Sequence, residues 1–398
     1  MAEPSAQRAG PLAGVRVLDC SRVLAGPYAG RLLADLGAEV VKLEPPAGDE
    51  IREVAPKRDR GMSGLYTWAN VGKRNLCVDL GRPEGREIAL ALAARCDAVI
   101  ENFRPGVAER LGLGWEAIHA RSPRTVLVSV NGFGSDSSWR ERRGFAHVVH
   151  AAAGILHDQA ARTGQPVVQL AQAFGDVATA LHATVALLAA LRVAAETGEG
   201  QHVEVAMFDA TLASYTETSF ALLDPPEARD TGLLFDAGPH GLLAVAGARP
   251  HVWRVLRERH GLADPAARGA PVPEKARLRH EALEGWMAAQ PSAAALVAAV
   301  EAAGLACAPV TPLREALTGA LAQERELLAV VDDRRGGTRP VVRSPWRFSR
   351  SEARVQGPAP RRGEHNGDVL RELLGYDEVR IEALRAAGVL AAERADGP

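Results

Sequence analysis

The chain of 398 residues is poor in lysine, aromatic rings and cysteine, and each scarcity excludes something. Only Lys42, Lys57, Lys73 and Lys275 are lysines, and the remaining basic residues are arginines. Beside the heavy alanine and glycine content this reads as a coding bias, so an arginine in place of a lysine says little about function. The four cysteines, Cys20, Cys77, Cys96 and Cys307, form no CxxC pair and have no clustered histidine partners. That excludes a disulfide framework or a zinc site of the usual spacing and suits a reducing cytoplasm. A net charge of -2 leaves no electrostatic case for nucleic acid as a partner. No uninterrupted apolar run of about 18 residues occurs, so no membrane span is expected. The polar opening MAEPSAQRAG lacks the apolar stretch of a secretory signal. The eleven histidines show no HxxxH or HExxH pattern; His147, His150 and His182 therefore read as packing residues, and no metal site is expected.

What is present is alternation. VRVLDC (15–20) has strand length, GPYAGRLLADLG (26–37) has helical spacing with a glycine stop, and AEVVKLE (38–44) is again strand-like. Strand, helix, strand implies a right-handed crossover and parallel pairing. The rhythm continues through a helix at 84–96, a strand at 97–102, a helical stretch at 107–120 and a strand at 125–133. A long alanine-rich helix at 176–195 follows, then a strand at 202–207. This predicts an α/β layer architecture around a mainly parallel sheet. Residues 224–241 are rich in breakers and predict a domain boundary. Residues 242–320 read as a smaller α+β unit with strands at 242–248 and 305–310. Residues 332–367 read as a long connection, and a helical segment at 367–390 closes the chain.

Several groups along this frame carry chemistry. LAGPYAG (24–30) lies between the first strand and its helix, where open α/β sheets bind ligands and helix N-termini attract phosphate. Its spacing is Gly26-xxx-Gly30 and not GxGxxG. The dinucleotide fingerprint therefore fails, although Glu44 at the second strand's end could imitate a ribose-binding acid; the alternative is a tight turn with close helix–strand packing. Lys73-Arg74 and the run Asn102-Phe103-Arg104, with Arg110 beyond it, offer forks for phosphates and a ring face for a purine; the alternative is a solvated surface. Asp176 opens the long helix. A carboxylate there is either an N-cap or, kept ionised by the helix dipole and shielded by Phe174 and Val177, a nucleophile able to attack a thioester.

Taken together, GVRVLDCSRVLAGPYAGRLLADLGAEVVKLEPPAGD, GKRNLCVDLGRPEGR, ENFRPGVAERLGLGWEAI, GDVATALHATVALLAALRVAAETGEGQHVEVAMFDA and GEHNGDVLRELLGYDEVRIEALRAAGVL resemble the class III coenzyme A transferases. These are the CaiB/BaiF type, which includes formyl-CoA and crotonobetainyl-CoA transferases. The resemblance covers most of 11–220 and the last 35 or so residues. It implies a large Rossmann-like domain with a parallel sheet formed by both chain ends, a smaller α+β domain, and an interlocked homodimer in the cytoplasm. The corresponding boundaries are 11–222, 223–331 and 332–398, the last segment returning to the large domain. It implies transfer of CoA from an acyl-CoA to a carboxylic acid through an aspartyl anhydride and thioester, with Asp176 as nucleophile and no permanently bound cofactor. CoA would be held by Val23, Leu24 and Ala25, by Lys73 and Arg74, by Asn102, Phe103 and Arg104, and by Arg110. Arg143 would lie near the CoA, and Phe145 would line the acyl site. Three departures stand out. Racemases of the superfamily carry a histidine where Phe145 stands. Transferases often carry an acidic residue and a glutamine where Ala146 and His150 stand. The segment at 222–241 is shorter than the loop thought to shield the anhydride. An acyl-CoA racemase, an intramolecular CoA isomerase, a non-catalytic acyl-CoA binder and a nicotinamide oxidoreductase are the competing readings.

Overall fold

A computed structural model describes residues 9–54, 62–223, 232–334 and 336–393. Expectations placed on 1–8, the tail, and on 224–231, within the breaker-rich and shortened stretch, lie outside the described residues. The chain divides into two compact units, Met1–Ser219 with Glu326–Pro398, and Phe220–Arg325.

The first unit is built on six strands: β1 (Arg16–Asp19), β2 (Glu39–Glu44), β3 (Arg74–Cys77), β4 (Ala98–Glu101), β5 (Val126–Asn131) and β6 (His202–Ala206). All neighbours pair parallel, in the order β3-β2-β1-β4-β5-β6. β1 to β5 are short runs buried on both faces, Val-, Leu- and Ile-rich except for β3, as a sheet covered by helices requires. The order reverses between β1 and β4, and that reversal opens a crevice beyond the strands' carboxyl ends. The expected 107–120 helix is two short ones, Val107–Arg110 and Trp115–Arg121, because Gly112 turns the chain with φ +74°.

The long helix runs Phe174–Thr197 and ends at Gly198, whose φ of 80° supplies the left-handed cap. It is long and apolar enough by length and composition to cross a membrane, as a buried core helix also can be. Its inward stripe of Ala180, Ala183, Leu187, Ala190 and Ala194 is buried in the core shared with the helix Ala25–Asp35 and the sheet, so it packs as a core helix.

The second unit holds an antiparallel sheet of β7 (Gly232–Asp236), β8 (Leu242–Ala246) and β9 (Cys307–Pro309). Its core gathers Phe235, Trp253, Leu256, Leu283 and Met287. β7 escapes sequence reasoning because its short apolar run sits among breakers. The supposed connection at 332–367 likewise overlaps a hairpin in the first unit, β10 (Leu328–Asp332) and β11 (Thr338–Val342). The closing segment packs Val369, Leu370, Ile381 and Val389 against Leu76, Ile88 and Leu92. It also bridges Leu390 to Val78, just past β3.

Candidate active site

A cavity of about 560 Å³ opens at the crevice, within the usual range for small-molecule sites. Its wall is assembled from the segments that leave the sheet: Arg22–Ala25 after β1, Asn102–Arg104 after β4, Asn131-Gly132 after β5 and Met207 after β6, with Asp176 beside them. The backbones of Gly132 and Gly144 cross so closely here that a Cβ on Gly144 would stand 2.2 Å from the Gly132 Cα. Only glycine fits at either position, and the crossing carries Arg143 and Phe145 to the cavity wall.

The loop after β1 is strained and firmly held. Val23 has φ 68°, an outlying conformation for a β-branched residue that costs on the order of 1–3 kcal/mol. Its N–H donates to the Asp49 carboxylate at 3.1 and 3.2 Å. Asn102 clamps Arg22 from both sides, accepting its N–H at 2.7 Å and donating to its carbonyl at 2.6 Å. Beneath the loop lies a buried lattice of charge. Lys42 pairs with Asp49 at 3.2 Å and donates to the Ser21 carbonyl at 2.7 Å, while Lys73 pairs with Asp19 at 2.7 Å. Burial alone would raise the Asp19 carboxyl, but the charges of Lys73 and Lys42 and the hydrogen bonds from Lys73 and Ser21 hold it below its ordinary value. This lattice holds the loop that leads through Leu24 into Ala25, the first residue of the helix Ala25–Asp35.

The Ala25 backbone N–H faces the Asp176 carboxylate and favours its ionised form. Asp176 is the third residue of the long helix, not its cap; the residue before the helix is Ala173, and no side chain caps it. The N-cap reading of Asp176 is therefore corrected. So is the reason for its charge state: burial dominates and pushes the carboxyl up to about 6, and the Ala25 hydrogen bond offsets part of the rise. At pH 7 it is still mostly ionised. Met207 lies against the same turn, since a Cβ on Gly175 would meet its side chain at 3.3 Å.

Val23, Leu24, Ala25, Asn102, Phe103, Arg104, Arg110, Arg143 and Phe145, which the resemblance assigns to CoA and the acyl group, all line this one cavity. Arg104 and Arg143 are exposed and carry no ion pair among the described residues. The structure withdraws Lys73 and Arg74 from this set. Lys73 Nζ is fully buried and saturated by Asp19, the Pro27 carbonyl and Asn70 Oδ1 at 2.7–2.8 Å. Arg74 pairs with Glu39 and Glu372 away from the cavity. Gly30 belongs to the same arrangement: a Cβ there would stand 2.8 Å from Asp19 Oδ2, so its conspicuous spacing from Gly26 serves packing. Glu44 is likewise no ribose ligand. Burial would raise it, but Arg52, Lys42 and Tyr66 hold it down to about 2, sealed inside the unit.

Sequence reasoning missed Arg22, Arg140, Arg142, Val130 and Met207. The arginines were concealed by the chain's general arginine richness, although Arg140 and Arg142 neighbour Arg143 and Arg22 precedes Val23. Arg22 is paired with Glu50 at 2.9 Å, and Arg142 stacks on Trp139 at 3.5 Å. Val130 and Met207 carried no signal beyond being apolar at strand ends. The arrangement joins a partly buried, ionised carboxylate and an apolar wall to several cationic forks. A ligand with an anionic body and an electrophilic end fits that combination.

Residues 12–366 match the family described as CoA-transferase family III. The beta subunit of succinyl-CoA–L-malate CoA-transferase from Chloroflexus aurantiacus is 29% identical, over 96% of this chain and 98% of its own. Formyl-CoA:oxalate CoA-transferase from Streptomyces avermitilis is 31% identical, over 95% and 99%. Among solved structures, a CaiB/BaiF family protein from Brucella suis superposes with a TM-score of 0.78 at 27% identity, covering 92% of this chain and 100% of that one.

Proposed function

The chain belongs to CoA-transferase family III, and from that premise we propose that it passes coenzyme A from an acyl-CoA thioester to a carboxylic acid by way of covalent intermediates on Asp176. The observation that carries the reading is the Asp176 carboxylate itself, partly buried at the wall of an arginine-lined cavity and faced by the Ala25 N–H at the end of the strained loop. The diphosphate and 3′-phosphate of CoA match Arg104, Arg110 and Arg143, and the Phe103 ring suits the adenine.

In the first step an Asp176 oxygen bonds to the donor's thioester carbonyl carbon and the C–S bond breaks, leaving an aspartyl–acyl anhydride and CoA thiolate. The thiolate then attacks the aspartyl carbonyl; the donor acid departs and Asp176 becomes the thioester. An acceptor carboxylate attacks that thioester, expelling the thiolate and forming the second anhydride. The returning thiolate takes the acceptor's acyl carbon and frees Asp176. Every step exchanges one activated acyl bond for another, so little driving force is needed. Charge develops on a carbonyl oxygen each time, and the Ala25 N–H, already directed at Asp176, is the donor best disposed to meet it.

Phe145 brings no base to the cavity, which favours transfer over racemisation at the α-carbon. Val130, Phe145 and Met207 make an apolar acyl end, suited to an acid whose body is less polar than its carboxylate. The reading extends to an interlocked homodimer in the cytoplasm. It is supported there by exposed Leu181, Val185 and Val193 on the long helix and by four unpaired cysteines.

Hydroxylamine added during turnover with an acyl-CoA, followed by peptide mass analysis, should place a hydroxamate on Asp176. Proton exchange at the substrate α-carbon without that adduct would overturn the reading in favour of a racemase. Arg104→Ala should raise KM for acyl-CoA by about tenfold with kcat nearly unchanged, because it grips a part of the substrate remote from the reacting bond. Steady-state kinetics at fixed acceptor checks this, and a loss confined to kcat contradicts it.

A further inference from the structure

The N–H groups in a helix's first turn need acceptors, and the sequence at the start of the long helix supplies none of the usual kind. Ala173 has no capping side chain, and Asp176 is directed at Ala25. The N–H of Gly175 is taken instead by a side chain from elsewhere: the Nε2 of His150, on the helix Ala146–Ala152, accepts it at 2.9 Å. His150 is 1% exposed, and its other ring nitrogen, Nδ1, is buried without a partner.

We infer that His150 is a positioning residue for Asp176, capping the nucleophile's helix from outside, and that it acts only as the neutral imidazole with its proton on Nδ1. An Nε2 that accepts carries no hydrogen, so the tautomer follows from the contact. A second proton would sit on Nε2 and face the Gly175 N–H, turning the cap into a repulsion one residue from the nucleophile. The charged or titratable groups on the elements packed against this helix are Asp176, His182, Arg192 and Glu196 on the long helix, of which only Asp176 lies in its first turn beside Gly175, Asp209 on the helix Met207–Ser214, and His157, Asp158 and Arg162 on the helix Ile155–Thr163. Asp158 is engaged by Arg162 and Tyr215. Burial first, then the charge of His147 on the same helix, lowers the titration of His150, so the cap is intact at neutral pH and fails as the solution is acidified.

The inference rests on Asp176 as nucleophile for its consequence but not for the contact. Two variants separate them, His150→Leu, which removes the acceptor, and His150→Gln, whose amide oxygen can accept but does not titrate. Amide hydrogen exchange at Gly175 in the full chain should accelerate about tenfold in the leucine variant and return to within about threefold of wild type in the glutamine variant, in keeping with the loss and recovery of one cap. The kcat for CoA exchange should follow the same order, with KM for acyl-CoA held within about twofold. On the acid side, the slope of log kcat against pH should be one unit lower in the glutamine variant than in wild type. Unchanged Gly175 protection in the leucine variant, no recovery in a folded glutamine variant, or equal acid slopes would each overturn the inference. If Asp176→Asn stays active while Gly175 protection still depends on His150, the nucleophile reading falls and the cap stands.

Discussion

Asp176→Asn should abolish CoA exchange, lowering kcat by roughly four to six orders of magnitude as nucleophile losses do, while CoA ester binding changes by less than about twofold. The amide keeps an oxygen for the Ala25 N–H, so the geometry survives and only the nucleophile is lost. The same variant should be more stable than the parent. Burial raises the folded carboxyl to about 6 from an ordinary 3.8. Holding it ionised therefore opposes folding, fully above about pH 6 and not at all below about pH 4. For a carboxylate that still reaches the cavity, the opposition is on the order of 1–3 kcal/mol. Urea unfolding at pH 8 and at pH 4 checks the sign: the asparagine variant gains stability at pH 8 and none at pH 4. A variant that turns over normally, or gains equally at both pH values, contradicts the assignment.

Lys73→Met should act on the fold before it acts on catalysis. The lysine neutralises Asp19 and satisfies the Pro27 carbonyl and Asn70. Its removal leaves a buried carboxylate facing only Lys42, and breaking such a pair costs about 3–5 kcal/mol. Asp19 also receives the Ser21 N–H at 3.0 Å, so the loss passes directly into the strained loop that aims Ala25. Thermal unfolding should fall by on the order of 10 °C, with kcat and CoA affinity declining together. Arg74→Ala, which removes a partly exposed pairing, should move stability by less than about 1 kcal/mol. A Lys73→Met protein as stable as the parent, with only KM raised, would return the lysine to the phosphate-binding role the sequence suggests.

The contrast between Lys73 and Arg104 marks where sequence reasoning succeeds and stops. Alternation of apolar runs gave the parallel sheet, because strand length and helical spacing are local properties. The segments leaving the strand ends converge, and the loop at 24–30 and the run Asn102-Phe103-Arg104 were each legible as ligand-facing, while Val23 and the grouping came from the resemblance to the transferase family. Whether a cation faces solvent or a buried carboxylate is not local. Asp19 and Lys73 meet only after β1, β2 and β3 have paired and Gly30 has made room. The His150 contact is of the same sort, joining two helices 25 positions apart through one ring nitrogen. β7 and the β10–β11 hairpin were missed for a different reason: their runs are short and embedded among glycines and prolines.

The join between β3 and the closing segment bears on how the protein is made. The Cys77 N–H donates to the side-chain Oδ1 of Asn366, 289 positions later. A growing chain therefore carries the outer flank of its central sheet uncovered until some 289 further residues have been made, with Leu76 and Ile88 awaiting Val369 and Leu370. Until residues 366–390 leave the ribosome, the flank is a place where another strand can add, and a nascent chain depends on speed or a chaperone to keep it clear.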